Sequence, residues 1–138
     1  MTQTEALDVL KTGANVFLTG EPGAGKTHTL NEYITHLREH SIDVAVTAST
    51  GIAATHIGGM TIHAWSGIGI KDSLSPYDIE QITTRERVAK RIARALVLVI
   101  DEISMLDART FGMVNQVLQA VRRSREPFGG VQIVLVGD

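Results

Sequence analysis

The residues best suited to chemistry are Gly20-Glu21-Pro22-Gly23-Ala24-Gly25-Lys26-Thr27 and, far downstream, Asp101-Glu102. Glycines let a backbone curl until successive N–H groups aim at phosphate oxygens, and a helix opening behind the loop adds partial positive charge. Lys26 supplies a point charge for terminal phosphates, and the Thr27 hydroxyl supplies a ligand for Mg²⁺. Gly20, Gly23, Ala24, Gly25, Lys26, Thr27 and, one helical step on, Thr29 therefore read as a nucleotide-phosphate site. A chance match in a glycine-bearing loop is the competing explanation. The flanking apolar run Val16-Phe17-Leu18-Thr19 and the helical pattern Leu30, Ile34, Leu37 weigh against it.

Asp101 closes a second apolar run, Leu96-Val97-Leu98-Val99-Ile100. A carboxylate at that point fits a ligand for hydrated Mg²⁺ beside Thr27, and Glu102 is placed to take a proton from an attacking water. Two acids at a strand end could simply pair with a nearby cation; the phosphate loop upstream favours the catalytic roles. A base for water favours hydrolysis over phosphoryl transfer to a metabolite. Asp138, after the run Val131 to Val136, fits a contact to water or metal and equally fits a turn residue.

These groups meet only if a sheet gathers them. Val16–Thr19, Val44–Ala48, Leu96–Ile100 and Val131–Val136 are apolar on successive positions, as strands covered on both faces are. Helical stretches alternate with them. Thr2 to Thr12 carries Ala6, Leu7 and Leu10 on one face. The helix behind the phosphate loop runs to about His40. A short helix follows Ser49-Thr50 and ends at Gly58-Gly59. Ser75 reads as an N-cap with Pro76 at the first helical position. Thr83-Thr84-Arg85-Glu86 reads as a capping box that restarts a helix to about Arg94, and the cations of that helix read as a solvated basic face. Asp107 to Arg123 is expected to bury Phe111, Val114, Leu118 and Val121. Met60 to Gly69, which holds the only tryptophan, reads as a loop. The class is α/β with a parallel sheet and right-handed crossovers. Ligands bind such sheets at the carboxyl ends of the strands, so Gly20–Thr27, Ser49–Gly51, Asp101-Glu102 and Gly137-Asp138 share one edge.

The 138 residues suffice for one domain. The absence of cysteine excludes disulfides and Cys-based zinc sites and is compatible with a reducing cytosol. No apolar run approaches a membrane span, and no signal peptide opens the sequence, so no membrane partner is expected. A net charge of −2 means that any nucleic-acid site must be local. Asp138 directly follows a central apolar strand, and residues 1–138 are expected to be a fragment truncated at its C-terminus.

In order, Gly20 to Thr27, Thr47 to Ala54, Gly59 to Gly69, Asp101 to Asp107, and Pro127 to Gly130 leading to Gly137-Asp138 resemble the first motor domain of the Pif-type DNA helicases. These are relatives of RecD in the B branch of helicase superfamily one. The resemblance implies a three-layer P-loop NTPase (RecA-like) fold with strand order 1-4-3-2 among the four strands. It also implies ATP and Mg²⁺, single-stranded DNA as partner, and 5′-to-3′ movement serving repair, recombination and, in eukaryotic relatives, telomere maintenance. Such proteins are cytoplasmic in bacteria and nuclear or mitochondrial in eukaryotes. Gln3-Thr4-Glu5-Ala6-Leu7 matches the family's adenine-contacting glutamine pattern, which raises Gln3 from a solvated residue to a base reader. Thr50 and Gly51 correspond to the motif that grips the DNA backbone, and Thr61, His63 and Trp65 to the next one. Trp65 could stack on a base; its bland alternative is core packing.

The resemblance also implies a second motor domain, with arginine fingers, that is not expected within residues 1–138. The isolated chain is therefore expected to hydrolyse ATP slowly, not to unwind DNA, and to leave its first strand as an exposed edge. Another P-loop ATPase, such as an AAA-type loader or regulator, is the alternative that Thr50-Gly51 and the His63–Trp65 segment argue against. A non-catalytic nucleotide-binding fragment is the one that intact Lys26, Thr27, Asp101 and Glu102 argue against.

Overall fold

The computed structural model describes residues 1–20 and 25–137. Its five strands form one parallel sheet: β1 (Val16–Leu18), β2 (Val44–Ala48), β3 (Met60–Thr61), β4 (Val97–Asp101) and β5 (Gln132–Val136), in the order β1-β5-β4-β2-β3. The expected order of the four apolar strands is observed as β1-β5-β4-β2. The first strand lies at an edge, with Phe17 53% exposed.

Residues alternate between the faces of the sheet, and each face has its own helical cover. Val97, Val99, Val134 and Val136 pack with Leu10 of α1 (Gln3–Lys11) and with Leu30, Tyr33, Ile34 and Leu37 of α2 (Lys26–Glu39). Leu98, Ile100 and Ile133 face the opposite way. They meet α4 (Ile62–Ser66), α5 (Pro76–Thr83), α6 (Glu86–Arg94) and α7 (Ala108–Arg122) through Ile62, Trp65, Ile82, Ile92, Val114 and Leu118. The short α3 (Gly51–His56) follows β2. Helix, sheet and helix make the three layers.

Three local expectations are corrected. The Met60–Gly69 stretch is not a loop: Met60-Thr61 adds a fifth strand beside β2, and α4 follows directly. Gly59 permits this, since a Cβ there would lie 2.9 Å from the Val46 carbonyl carbon and closer still to its oxygen. Thr83 starts no capping box. The Thr83 and Thr84 hydroxyls both donate back to the Glu80 carbonyl at 3.2 and 2.8 Å, closing α5, and α6 starts at Glu86 behind Arg85, an N-cap that makes no side-chain bond. Finally, α7 buries Thr110, Met113, Val114, Val117 and Leu118. Phe111 turns aside to pack on Phe128, ring centroids 4.9 Å apart, and Val121 is left at the margin.

One buried polar side chain locks the first layer. Gln132 accepts from the Tyr33 hydroxyl at 2.7 Å and donates to the Leu10 and Ala14 carbonyls at 3.2 and 2.7 Å. Both of its N–H donors and its carbonyl oxygen are thus engaged within the chain, and the end of α1 is tied to α2. This sets where the start of α1 lies relative to the loop behind β1.

Candidate functional site

Lys26 opens α2 at the end of β1, and its Nζ donates to the Gly20 carbonyl at 2.5 Å. Gly25 caps the helix at φ +88, a left-handed conformation that suits a residue without a Cβ. Thr27 is exposed in the first turn, and Thr29 is buried. Gln3, Gly25, Lys26 and Thr29 line one cavity of about 280 Å³ together with Phe17 and Thr19. The start of α1 and the start of α2, which carry the residues expected to hold a nucleotide, are therefore brought together. Glu21, Pro22, Gly23, Ala24 and Asp138 lie outside the described residues.

Asp101 is the last residue of β4, paired in register with Ala48 of β2. Its Oδ1 accepts from the Glu102 amide at 2.8 Å. Glu102 follows at φ +55 and ψ +48, a left-handed conformation that a residue with a Cβ adopts at a cost. The 3₁₀ turn Ile103–Met105 then passes close to Gly137, where a Cβ would lie 2.9 Å from Ile103 Cγ2. Ser49, directly after β2, donates its hydroxyl to the Glu102 carbonyl at 2.6 Å and its amide to the Asp101 carbonyl at 3.1 Å. Sequence reasoning placed Ser49 on this edge but gave it no role of its own. Its place one step beyond a strand adjacent to β4 was the only signal.

The remaining candidates sit along the same edge. Thr50 caps α3 by accepting from the Ala53 amide, and Thr61 caps α4 by accepting from the Ala64 amide, both at 3.2 Å. Ala48 pairs with Thr61 as well as Asp101, so the two caps are neighbours. Gly51 is exposed, and nothing outside its own stretch of helix lies within 4 Å of where its Cβ would be. His63 is half-buried and lies near the Asp107 carboxylate, which caps α7 by accepting from the Thr110 amide at 2.7 Å. The hydrogen bonds with Thr110 hold the Asp107 carboxyl below its ordinary value, with smaller contributions from Arg109 and His63.

Trp65 is 5% exposed and belongs to the core between α4, α6 and α7. It presents no open face on which a base could stack, so packing describes its state in this structure. Arg91 of the basic α6 is likewise in use. Its guanidinium donates to the Trp65 carbonyl at 2.9 Å and the Ala64 carbonyl at 2.6 Å, and partial burial lowers its pKa. No helix among the described residues is long and apolar enough to cross a membrane.

A parallel sheet of this order, with a lysine-opened helix behind its edge strand and an acid pair closing a central one, is the P-loop NTPase architecture. Comparison with known proteins narrows the class. The family model described as PIF1-like helicase matches residues 3–138. The ATP-dependent DNA helicase Pif1 of Psychrobacter sp. (strain PRwf-1) is 56% identical over 138 residues, which is 100% of this chain and 21% of that protein. The crystal structure of Pif1 helicase from Candida albicans superimposes with a TM-score of 0.92 at 39% identity, over 99% of this chain and 31% of that one. Pif1 helicase from Bacteroides, solved in complex with ADP-AlF3 and ssDNA, gives 0.81 at 34% identity, over 100% and 32%. The chain belongs to the PIF1-like helicase family. It spans 21% of the length of the Psychrobacter relative.

Proposed function

We propose that residues 1–138 form the first motor domain of an ATP-dependent DNA helicase, coupling ATP hydrolysis to 5′-to-3′ movement on single-stranded DNA in repair and recombination. The observation that carries the proposal is the strand register. Thr61, Ala48 and Asp101 stand in one row at the carboxyl edge of the sheet, beside the loop that Lys26 closes. A nucleotide site and a strand-binding turn on one edge are what such coupling requires. The relative crystallised with ADP-AlF3 and ssDNA supports the same reading.

In this reading Gln3 contacts adenine, and the amides of Gly20 and Gly25 serve the phosphates; Gly23 and Ala24 belong to the same motif and lie outside the described residues. Lys26 exchanges its bond to the Gly20 carbonyl for the terminal phosphates, and Thr29 supports the loop from the first turn of α2. The Thr27 hydroxyl and the Asp101 carboxylate are hard oxygen donors, and among the described residues no set of three His, Asp or Glu side chains forms a closed metal cage. That donor set fits Mg²⁺, which takes one or two protein oxygens beside phosphate and water. The ion, when bound, neutralises charge developing on the phosphoryl oxygens. Glu102 accepts the proton of the attacking water. Thr50, Gly51, Thr61 and His63 contact the DNA strand, and Trp65 supports that surface from within the core. A second motor domain closes the site from the opposite side and supplies the arginines that speed turnover.

The deciding measurement is ATP hydrolysis by the full-length protein that carries this chain, with and without oligo-dT. Stimulation of about tenfold or more is expected, with no turnover after Lys26→Ala at any DNA concentration. A rate indifferent to DNA would sink the helicase reading and leave a general P-loop ATPase.

A further inference from the structure

We infer that Ser49 is the positioning residue through which the DNA-contacting turn sets the aim of Glu102. This rests on the ATPase and DNA-binding reading above and specifies how its two sites communicate.

Glu102 is oriented by its backbone. Among the described residues its carboxylate makes no hydrogen bond or ion pair, so the peptide on either side decides where the proton acceptor stands. That backbone is in the left-handed region, at φ +55, where a residue with a Cβ must be held. Three bonds hold it. The Glu102 amide donates to Asp101 Oδ1 at 2.8 Å. The Glu102 carbonyl accepts from the Met105 amide at 3.1 Å and from the Ser49 hydroxyl at 2.6 Å, which uses both of its lone pairs. Two of these bonds are local. The Ser49 bond alone comes from another strand.

Ser49 is joined directly to the proposed DNA contacts, Thr50 and Gly51. Its own amide donates to the Asp101 carbonyl at 3.1 Å, so this one residue holds the carbonyls of both acids. At 7% exposure, no water can readily replace its hydroxyl. A DNA phosphate that draws on the Thr50–Gly51 turn pulls Ser49 with it. The Glu102 peptide plane turns in response, and the carboxylate swings with the plane. DNA occupancy thereby changes the position of the base without any contact between DNA and Glu102.

The test uses the full-length protein with Ser49→Ala and Ser49→Thr. Four quantities are measured: ATP turnover with saturating oligo-dT, KM for ATP, affinity for fluorescein-labelled oligo-dT without nucleotide, and amide hydrogen exchange of residues 101–106 with and without oligo-dT. For Ser49→Ala, DNA-stimulated kcat falls by about tenfold or more while KM and DNA affinity stay within about twofold, as expected for a misplaced base. Protection of residues 101–106 then no longer responds to DNA. Ser49→Thr keeps the donor and regains most of the rate. Wild-type stimulated turnover in Ser49→Ala overturns the inference. So does a loss of DNA affinity that matches the loss of rate, or a Ser49→Thr protein of unchanged melting temperature that is as slow as Ser49→Ala. An unsubstituted protein that ignores DNA fails differently, since it refutes the helicase reading itself.

Discussion

Gln3 packs directly on Gly25: a Cβ added to that glycine would lie 2.8 Å from Gln3 Cδ and closer still to the amide nitrogen. Gly25 thus meets two demands. It turns the chain at φ +88 into α2, and it leaves room for a side chain from the start of α1. The Thr2–Glu5 capping box orders the first turn of α1, and the Gln132 bond to the Leu10 carbonyl ties its far end to β5. That first turn forms one wall of the cavity beside Lys26.

If Gln3 reads adenine from that wall, Gln3→Ala should weaken ATP binding by about tenfold and leave GTP binding nearly unchanged, the effect expected for losing a two-point contact to the base. Gly25→Ala should weaken both nucleotides alike, because it strains the turn and displaces the side chain packed on it. Competition of each nucleotide against a fluorescent ADP analogue distinguishes the patterns. Equal loss for ATP and GTP in Gln3→Ala would remove the base-reading role.

Trp65 gives a second prediction. As a core residue, 5% exposed, its replacement by alanine should cost about 3–5 kcal/mol of folding stability and lower basal and DNA-stimulated turnover together. Arg91→Ala should cost about 1–3 kcal/mol, since it strips the donor from the Ala64 and Trp65 carbonyls at the end of α4. Arg91→Lys should recover only part of that, because an ammonium cannot reproduce the two-pronged contact. Urea titration followed by far-UV dichroism measures all three. A Trp65→Ala protein of unchanged midpoint that loses DNA stimulation alone would return Trp65 to the DNA site.

Arg122 supports a third. From the end of α7 its Nη1 donates to the carbonyls of Ile92, Ala93 and Ala95 at 3.2, 2.8 and 3.0 Å, and its Nε to Gly129 at 2.9 Å. One guanidinium thus finishes α6 and fixes the turn before β5. Arg122→Ala should destabilise the chain by about 2–3 kcal/mol, a loss measurable as a lower urea midpoint. Substitution of the side chain of Arg123 next to it, exposed and without an ion pair among the described residues, should change little.

Much of this was readable from the residues, and the misses share a cause. Apolar runs gave the four main strands because buried parallel strands need no alternation. The loop at Gly25-Lys26 and the acids at Asp101-Glu102 were readable because each carries a short pattern of its own, glycines before a lysine and two acids after an apolar run. What escaped depends on contacts across the fold. The strand at Met60-Thr61 exists because Gly59 can approach Val46, which no local pattern announces. The face of α7 rotated because Phe128, far along the chain, takes up Phe111. Ser49 looked like any polar residue at a strand end until the position of Glu102 in the adjacent strand gave its hydroxyl a partner.

The helix caps make a prediction about acid. Hydrogen bonds with Thr2, Ser75 and Thr110 hold the Glu5, Asp78 and Asp107 carboxyls below their ordinary values of 4.5, 3.8 and 3.8. A carboxyl lowered on folding stabilises the folded state fully above its unfolded value, and that contribution drains away as pH falls through the lower folded value. Lys71 pairs with Asp78 at 3.3 Å, and Arg109 and His63 lie near Asp107, so salt should reduce the effect in part. The variant Glu5→Gln, Asp78→Asn, Asp107→Asn retains an acceptor at each cap but cannot ionise there. It should melt below the unsubstituted chain at pH 7, and the difference should shrink steadily once the pH drops below about 4. Thermal denaturation across pH 2 to 7 provides the comparison. A difference that stays constant across that range would mean that the capping hydrogen bonds, and not the charges on Glu5, Asp78 and Asp107, hold these three helix ends.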